Sequence, residues 1–148
     1  MPAVSPSTEA CEAIRDRINS GSGYVLDVRA EARELLIEDL AELRSLRVEV
    51  VPENEAQLAD TIDLVDRTSH QIRVWIRQKL QTTDQDEIEK LKWTRRQIAL
   101  RLMNYVTSDG RVRVWEVDNQ NDVRFDREAL QQDRAFVSSI ILRVEVNP

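Results

Sequence analysis

Phe136, Ser138, Ile140, Leu142, Val144 and Val146 fall on every second residue, with Val137, Ser139, Ile141, Arg143 and Glu145 between them. Only an extended chain sends alternate side chains to opposite faces, so this stretch predicts a strand whose first set must be buried against another layer. The same period of two recurs in Gln71–Leu80, where Ile72, Val74 and Ile76 oppose Arg73, Trp75 and Arg77. It recurs in Leu46, Val48 and Val50 against Arg47 and Glu49, up to Pro52, which cannot donate to a ladder and is expected to stop the strand. Tyr24, Leu26, Val28 and Ala30 alternate with Val25, Asp27, Arg29 and Glu31, and Val112 and Val114 alternate with Arg113 and Trp115 in Arg111–Val117. Leu46–Pro52 (LRVEVVP) and Leu142–Pro148 (LRVEVNP) nearly repeat each other, which reads as two strands obeying one alternation because the elements between them do not repeat.

Two segments have helical spacing instead. Ser7 can cap a first helix with Ala10, Cys11, Ile14 and Ile18 on one face, ended by Gly21-Ser22-Gly23. Thr83 can cap a longer one over Asp84–Val106, with acids first and bases last as the helix dipole favours. Its Ile88, Leu91, Ile98, Leu102 and Tyr105 share a face that packs on the sheet, whereas Trp93, Leu100 and Met103 project from nearly the opposite side. Leu35–Leu43 reads as a short helical turn or irregular link, Asp118–Asp122 as a polar loop and Phe125–Gln132 as one helical turn. The order helix, strand, strand, strand, helix, strand, strand predicts an α+β fold: a mostly antiparallel four- to five-stranded sheet with an N-terminal helix and one long helix packed on one face. The core is expected to comprise Leu26, Val28, Val48, Val50, Ile72, Val74, Ile76, Ile140, Leu142 and Val144 under Ile88, Leu91, Ile98 and Leu102. We read residues 1–148 as one domain, with 1–6 a flexible N-terminus and 53–66 an acidic loop or arm.

Several chemistries lack their residues. Average usage would supply roughly ten glycines, yet only Gly21, Gly23 and Gly110 occur, so no phosphate-cradling loop can be built. A lone Cys11 and a lone His70 make neither a disulfide nor a zinc centre. Nucleophilic catalysis would have to use His70, placed in Thr68-Ser69-His70-Gln71 where a surface strand-end histidine is expected. Carboxylate pairs such as Glu38-Asp39 or Asp84 and Asp86 fall in hydrophilic links or a helix first turn, without a pocket to separate their pKa values. We therefore expect no enzyme, no cofactor and no metal. The longest apolar stretch, Ala135–Leu142, is broken by two serines and is far shorter than the roughly 18 residues of a membrane span. The opening Met1-Pro2-Ala3-Val4-Ser5-Pro6 has no basic leader or apolar signal core, so work in the cytoplasm, or in an assembly built there, is expected.

A net charge of −6 argues against nucleic-acid binding. Of 21 cationic residues only Lys79, Lys90 and Lys92 are lysine. Arginine is the cation enriched in protein contacts, although a base-composition bias would give the same count. Trp75, Trp93 and Trp115 all fall on the polar side of their elements, the pattern of a subunit that completes its burial by assembling, although Trp93 lying flat against a loop would also account for its position. The candidate subunit interface is Arg73, Trp75, Arg77, Trp93, Leu100 and Met103.

In order and spacing the chain resembles the tail terminator or tail completion proteins of long-tailed bacteriophages. Leu36-Ile37-Glu38-Asp39-Leu40 leading into Leu46–Pro52 is similar to that family's acidic turn and following strand, and Ile72-Arg73-Val74-Trp75-Ile76-Arg77-Gln78-Lys79 to its next strand. The long helix before a strand with Trp115, and Phe125-Asp126-Arg127-Glu128-Ala129-Leu130 before Phe136–Val144, complete the likeness over Glu9–Val146. Departures are Glu53 in place of a basic residue, Arg143 in place of a tyrosine, and no extended proline-containing loop after Trp115. The resemblance implies a structural virion subunit forming a ring, commonly hexameric, that caps the tail tube, meets the tube protein and the head connector, and lets DNA pass without specific binding. Other neck or head-closure components, and cellular adaptor or immunity proteins, are the competing readings. Within the ring reading, Glu53, Glu55, Asp60, Asp63 and Asp66, with no base among them, are candidates to line the lumen and repel phosphates; a solvated loop is the alternative.

Overall fold

Ser5 starts the first helix: its Oγ accepts the Thr8 amide at 3.3 Å and Pro6 occupies the first turn, where its missing N–H costs nothing. The cap is thus Ser5 rather than Ser7; Ser5 caps and Pro6 opens helix α1 (Pro6–Asn19), where a flexible N-terminus through residue 6 is expected. The computed structural model describes residues 4–34, 45–57, 68–80, 85–117 and 125–147, without the side chains of 54–57. The expected link at Leu35–Leu43, the Thr83 cap and the Asp118–Asp122 loop lie outside the described residues.

After α1 come β1 (Ala30–Ala32), β2 (Arg47–Gln57), β3 (Thr68–Lys79), α2 (Gln85–Leu102), β4 (Val112–Val117), α3 (Arg127–Gln132) and β5 (Ala135–Val146). The fold is α+β, a five-stranded sheet in the order β1-β2-β3-β5-β4 with three helices. The sheet is mixed rather than mostly antiparallel, because β1 runs parallel to β2 with Ala30 opposite Val48 and Ala32 opposite Val50. The remaining neighbours are antiparallel.

One continuous core joins α1, α2 and one sheet face. Ala10, Cys11, Ile14 and Ile18 of α1 and Leu91, Ile98 and Leu102 of α2 cover Val48, Val50, Ile72, Val74, Ile76, Ile140, Leu142 and Val144, with Leu26, Val28 and Ile88 packed at its margin. Alternation identified this face correctly, and a one-residue slip in any strand would have turned it outward.

Three boundaries differ from expectation. Tyr24–Arg29 keeps its alternate burial without joining a ladder, because both helices hold it: the Gln97 side-chain oxygen of α2 accepts the Val25 amide at 2.9 Å and the Tyr24 hydroxyl donates to the Ile18 backbone carbonyl of α1 at 2.9 Å. Pro52 does not stop β2, which continues to Gln57 with a register shift between Pro52 and Asn54, so 53–57 is strand rather than loop. The Val50 carbonyl accepts from the Arg33 amide, so every second residue of β2, Pro52 included, turns its backbone toward β1, and β1 has ended before Pro52 is reached. No ladder bond is lost there. Finally α2 ends at Leu102, with Asn104 in the left-handed region at φ 58°, and Tyr105 and Val106 leave the helix to lie along β4.

Both sheet edges are partly closed. The Asn19 amide group occupies the free side of β1, accepting from the Ala30 amide at 2.7 Å and donating to the Ala30 carbonyl at 3.0 Å. At the other edge Val114 donates to the Tyr105 carbonyl at 2.8 Å and Thr107 to the Val112 carbonyl at 3.0 Å.

Candidate subunit interface

The face of the sheet turned away from the helices carries Glu49, Val51 and Glu53 of β2, Arg73, Trp75 and Arg77 of β3, and Ser139, Ile141 and Glu145 of β5. Alternation makes this the polar side, expected to complete its burial by assembling; much of it is already buried within the chain. Glu49 is 1% exposed, and its carboxylate takes the Arg77 guanidinium at 2.5 Å and stands 3.2 Å from Arg33 Nε. Two carboxylate oxygens between two guanidinium groups satisfy a charge that would otherwise be costly in this position. Arg73 is held on three sides, by Glu53 at 2.5 Å, by the Ser139 hydroxyl at 3.3 Å and by the Trp75 ring, whose centroid lies 5.2 Å away. Of the sheet residues named as interface candidates, Arg77 is therefore buried within its own chain, Arg73 is engaged internally, and half-buried Trp75 lines an open groove.

The helix residues are placed differently. Trp93 and Leu100 on α2 are 54% and 58% exposed, and Met103 just beyond its end is exposed as well. Leu100 follows Leu91 by nine residues, about half a turn out of phase at 3.6 residues per turn, so the stripe points straight away from the core. Trp93 is flanked three residues before by Lys90 and three after by Arg96, whose guanidinium sits 5.6 Å from the indole centroid. The six candidates thus form two separate surfaces on opposite sides of the sheet.

Glu53, the first lumen candidate, is already compensated by Arg73 and accepts from the Gln71 amide at 2.6 Å. Glu55 lies in β2 opposite His70, and Asp60, Asp63 and Asp66 fall outside the described residues.

His70 is not a surface residue. β3 begins two residues before it, which puts His70 in phase with Ile72 and Val74, and it is buried with Nε2 2.7 Å from the Thr68 hydroxyl. Burial and two nearby acids keep Cys11 inert, its thiol pushed up to about 12 by desolvation and by Glu34 and Glu12. Desolvation also raises the Tyr24 phenol, and the Thr107 hydroxyl holds Asp109 below the usual carboxylate range in the turn before β4.

Trp115 was not among the named candidates although its position in the strand pattern flagged it. It is 60% exposed at a register shift in β4, its indole N–H donating to the buried Glu145 carboxylate and its ring 5.3 Å from the Arg113 guanidinium. Among the described residues no three His, Cys, Asp or Glu side chains gather to hold a metal, and no helix is long and apolar enough to cross a membrane. No protein-family model matches this chain, and no curated protein does.

Proposed function

We propose that this chain is a structural subunit of a phage tail neck, a tail terminator whose ring, commonly hexameric, caps the tail tube and joins it to the head connector. The exposed Trp93–Leu100–Met103 stripe carries this reading: a large aromatic and two aliphatic side chains held on a rigid helix favour burial against another protein. The order of elements supports it too, since the described parts of the family-like segments fall on β2, β3, α2 with β4, and α3 with β5 in turn. In this reading the protein works in the virion, contacts tube protein and connector through the two rims of the ring, and acts without a catalytic centre.

Disrupting the gene in its own phage tests the proposal by electron microscopy of the lysate. Overlong tails with unattached full heads are the expected outcome. Tails of normal length beside heads that leak DNA would instead assign a head-closure role, and normal virions would overturn a neck function.

A further inference from the structure

α1 and α2 each bury four residues or more, whereas none of the six in α3 is buried. The bonds that shape α3 are its own. The Asp126 carboxylate accepts the Ala129 amide at 3.1 Å, the Leu130 amide donates to the Asp126 carbonyl at 3.1 Å, and the Asp133 amide to the Ala129 carbonyl at 2.9 Å. Among the described residues, few contacts tie it to the body. The Asp126 amide donates to the Val137 carbonyl at 2.8 Å, half-buried Leu130 packs against the core, and half-buried Phe125 stacks on the buried Phe136 ring with centroids 5.5 Å apart. Lys92 of α2, paired with Glu89 at 3.5 Å, stands 5.3 Å from the Phe125 centroid; Arg127 stands equally near but belongs to α3 and moves with it.

The chain leaves α3 through Arg134, which lies in the left-handed region at φ 50°. Asn104, at φ 58°, has the short polar side chain that tolerates this conformation; an arginine has no such compensation. The Arg134 carbonyl accepts the Leu80 amide at 2.6 Å, and β5 begins at the next residue. Rotation about the Arg134 N–Cα bond therefore swings everything before it while its carbonyl stays gripped.

We infer that residues 125–133 are a flap hinged on Arg134, which lifts as a unit while the sheet stays folded. Lifting gives up one backbone bond to β5, the Phe125 stack and the Leu130 contact, and lets Arg134 relax to negative φ. A helix of six residues does not stand alone in water, so it unravels as it lifts. Phe125 also walls the groove beside Trp75 and Ile141, so each opening carries that wall away and extends the groove toward the Phe136 ring. The outer side of the sheet thereby has two forms, and the hinge sets the balance between them.

Hydrogen exchange of the full chain, read by NMR where exchange reports the opening equilibrium, tests the flap. The Asp126, Ala129, Leu130 and Asp133 amides should exchange at least roughly a hundred-fold faster than those of Val74 and Ile140 in the central strands. Ile76→Val, a mild core truncation, should speed Val74 and Ile140 and leave the four flap amides unchanged, because the flap opens without unfolding the sheet. Phe125→Ala should speed all four flap amides by one common factor, roughly ten-fold. Arg134→Gly, which removes the penalty of the left-handed region, should slow them by a common factor. Flap amides that keep pace with Val74 in the wild type and in Ile76→Val, or that answer Phe125→Ala by separate factors, would overturn the flap. Exchange left unchanged or quickened by Arg134→Gly would overturn the hinge.

Discussion

Arg17 and Arg101 hold each other's helix ends: Arg17 Nε donates to the Arg101 carbonyl at 3.1 Å, and Arg101 Nε to the Arg17 carbonyl at 2.8 Å. Each guanidinium thus sits where the neighbouring helix presents unsatisfied carbonyls and the negative end of its dipole. The exchange fixes α1 against α2, and with it the direction in which Trp93 points.

Gly21 makes room for that exchange. A methyl group there would come within 2.6 Å of Arg101 Nε and 2.5 Å of the Tyr24 hydroxyl. Gly21→Ala and Arg101→Ala should each cost about 2 kcal/mol, the scale of a hydrogen bond to a charged group. The double variant should cost clearly less than their sum, because both remove the same interaction. Denaturant unfolding of the four proteins measures this; strict additivity would show that Gly21 acts elsewhere.

Arg77→Ala leaves the buried Glu49 carboxylate with one partner fewer and should destabilise the chain by about 3–5 kcal/mol. Replacing both by apolar residues, Glu49→Leu with Arg77→Met, should recover most of the loss. Thermal unfolding of the single and double variants decides it.

The Cys11 thiol, ordinarily near 9.0, is raised to about 12 in the folded chain. Well below pH 9 both folded and unfolded thiols are protonated and nothing is lost. Between about 9 and 12 the unfolded chain releases its proton and the folded one does not, so stability should fall as pH rises through this window. Cys11→Ala should show a flatter stability profile there, and the native thiol should resist alkylation at pH 8 until denaturant is added.

In the ring reading, Glu55→Gln with Asp60→Asn, Asp63→Asn and Asp66→Asn should leave tails normal but slow DNA ejection. Glu53→Gln should not slow it, because that carboxylate is spent on Arg73. Unchanged ejection kinetics in the fourfold variant would leave a solvated loop.

Period-two alternation was sufficient for the core of β3 and β5, since burying Ile72, Val74, Ile140 and Leu142 depends only on phase. It was insufficient wherever a distant partner decided the outcome. Glu49 and Glu145 occupy equivalent places in the two LRVEV segments on the side away from the core, yet both are buried, one by Arg77 and Arg33 and the other by the Trp115 indole. Pro52 reads as a stop only if its N–H side has a neighbour, and the three-residue length of β1 is not visible locally. On the candidate interface the helical phase of Trp93 and Leu100 predicted their exposure, whereas the burial of Arg77 depended on a carboxylate 28 residues away.

The side chain of Asn19 imitates a strand for the length of one residue, and the Tyr105–Thr107 segment does the same work at the opposite margin. Bare margins would let copies of such a chain zip sheet to sheet into threads without limit. Where those hems are folded in, the described residues offer no such seed, and any meeting of copies there falls to the relief of their faces. At these two margins a contact between copies would be written in side chains, which single substitutions can revise, rather than in backbone, which they cannot.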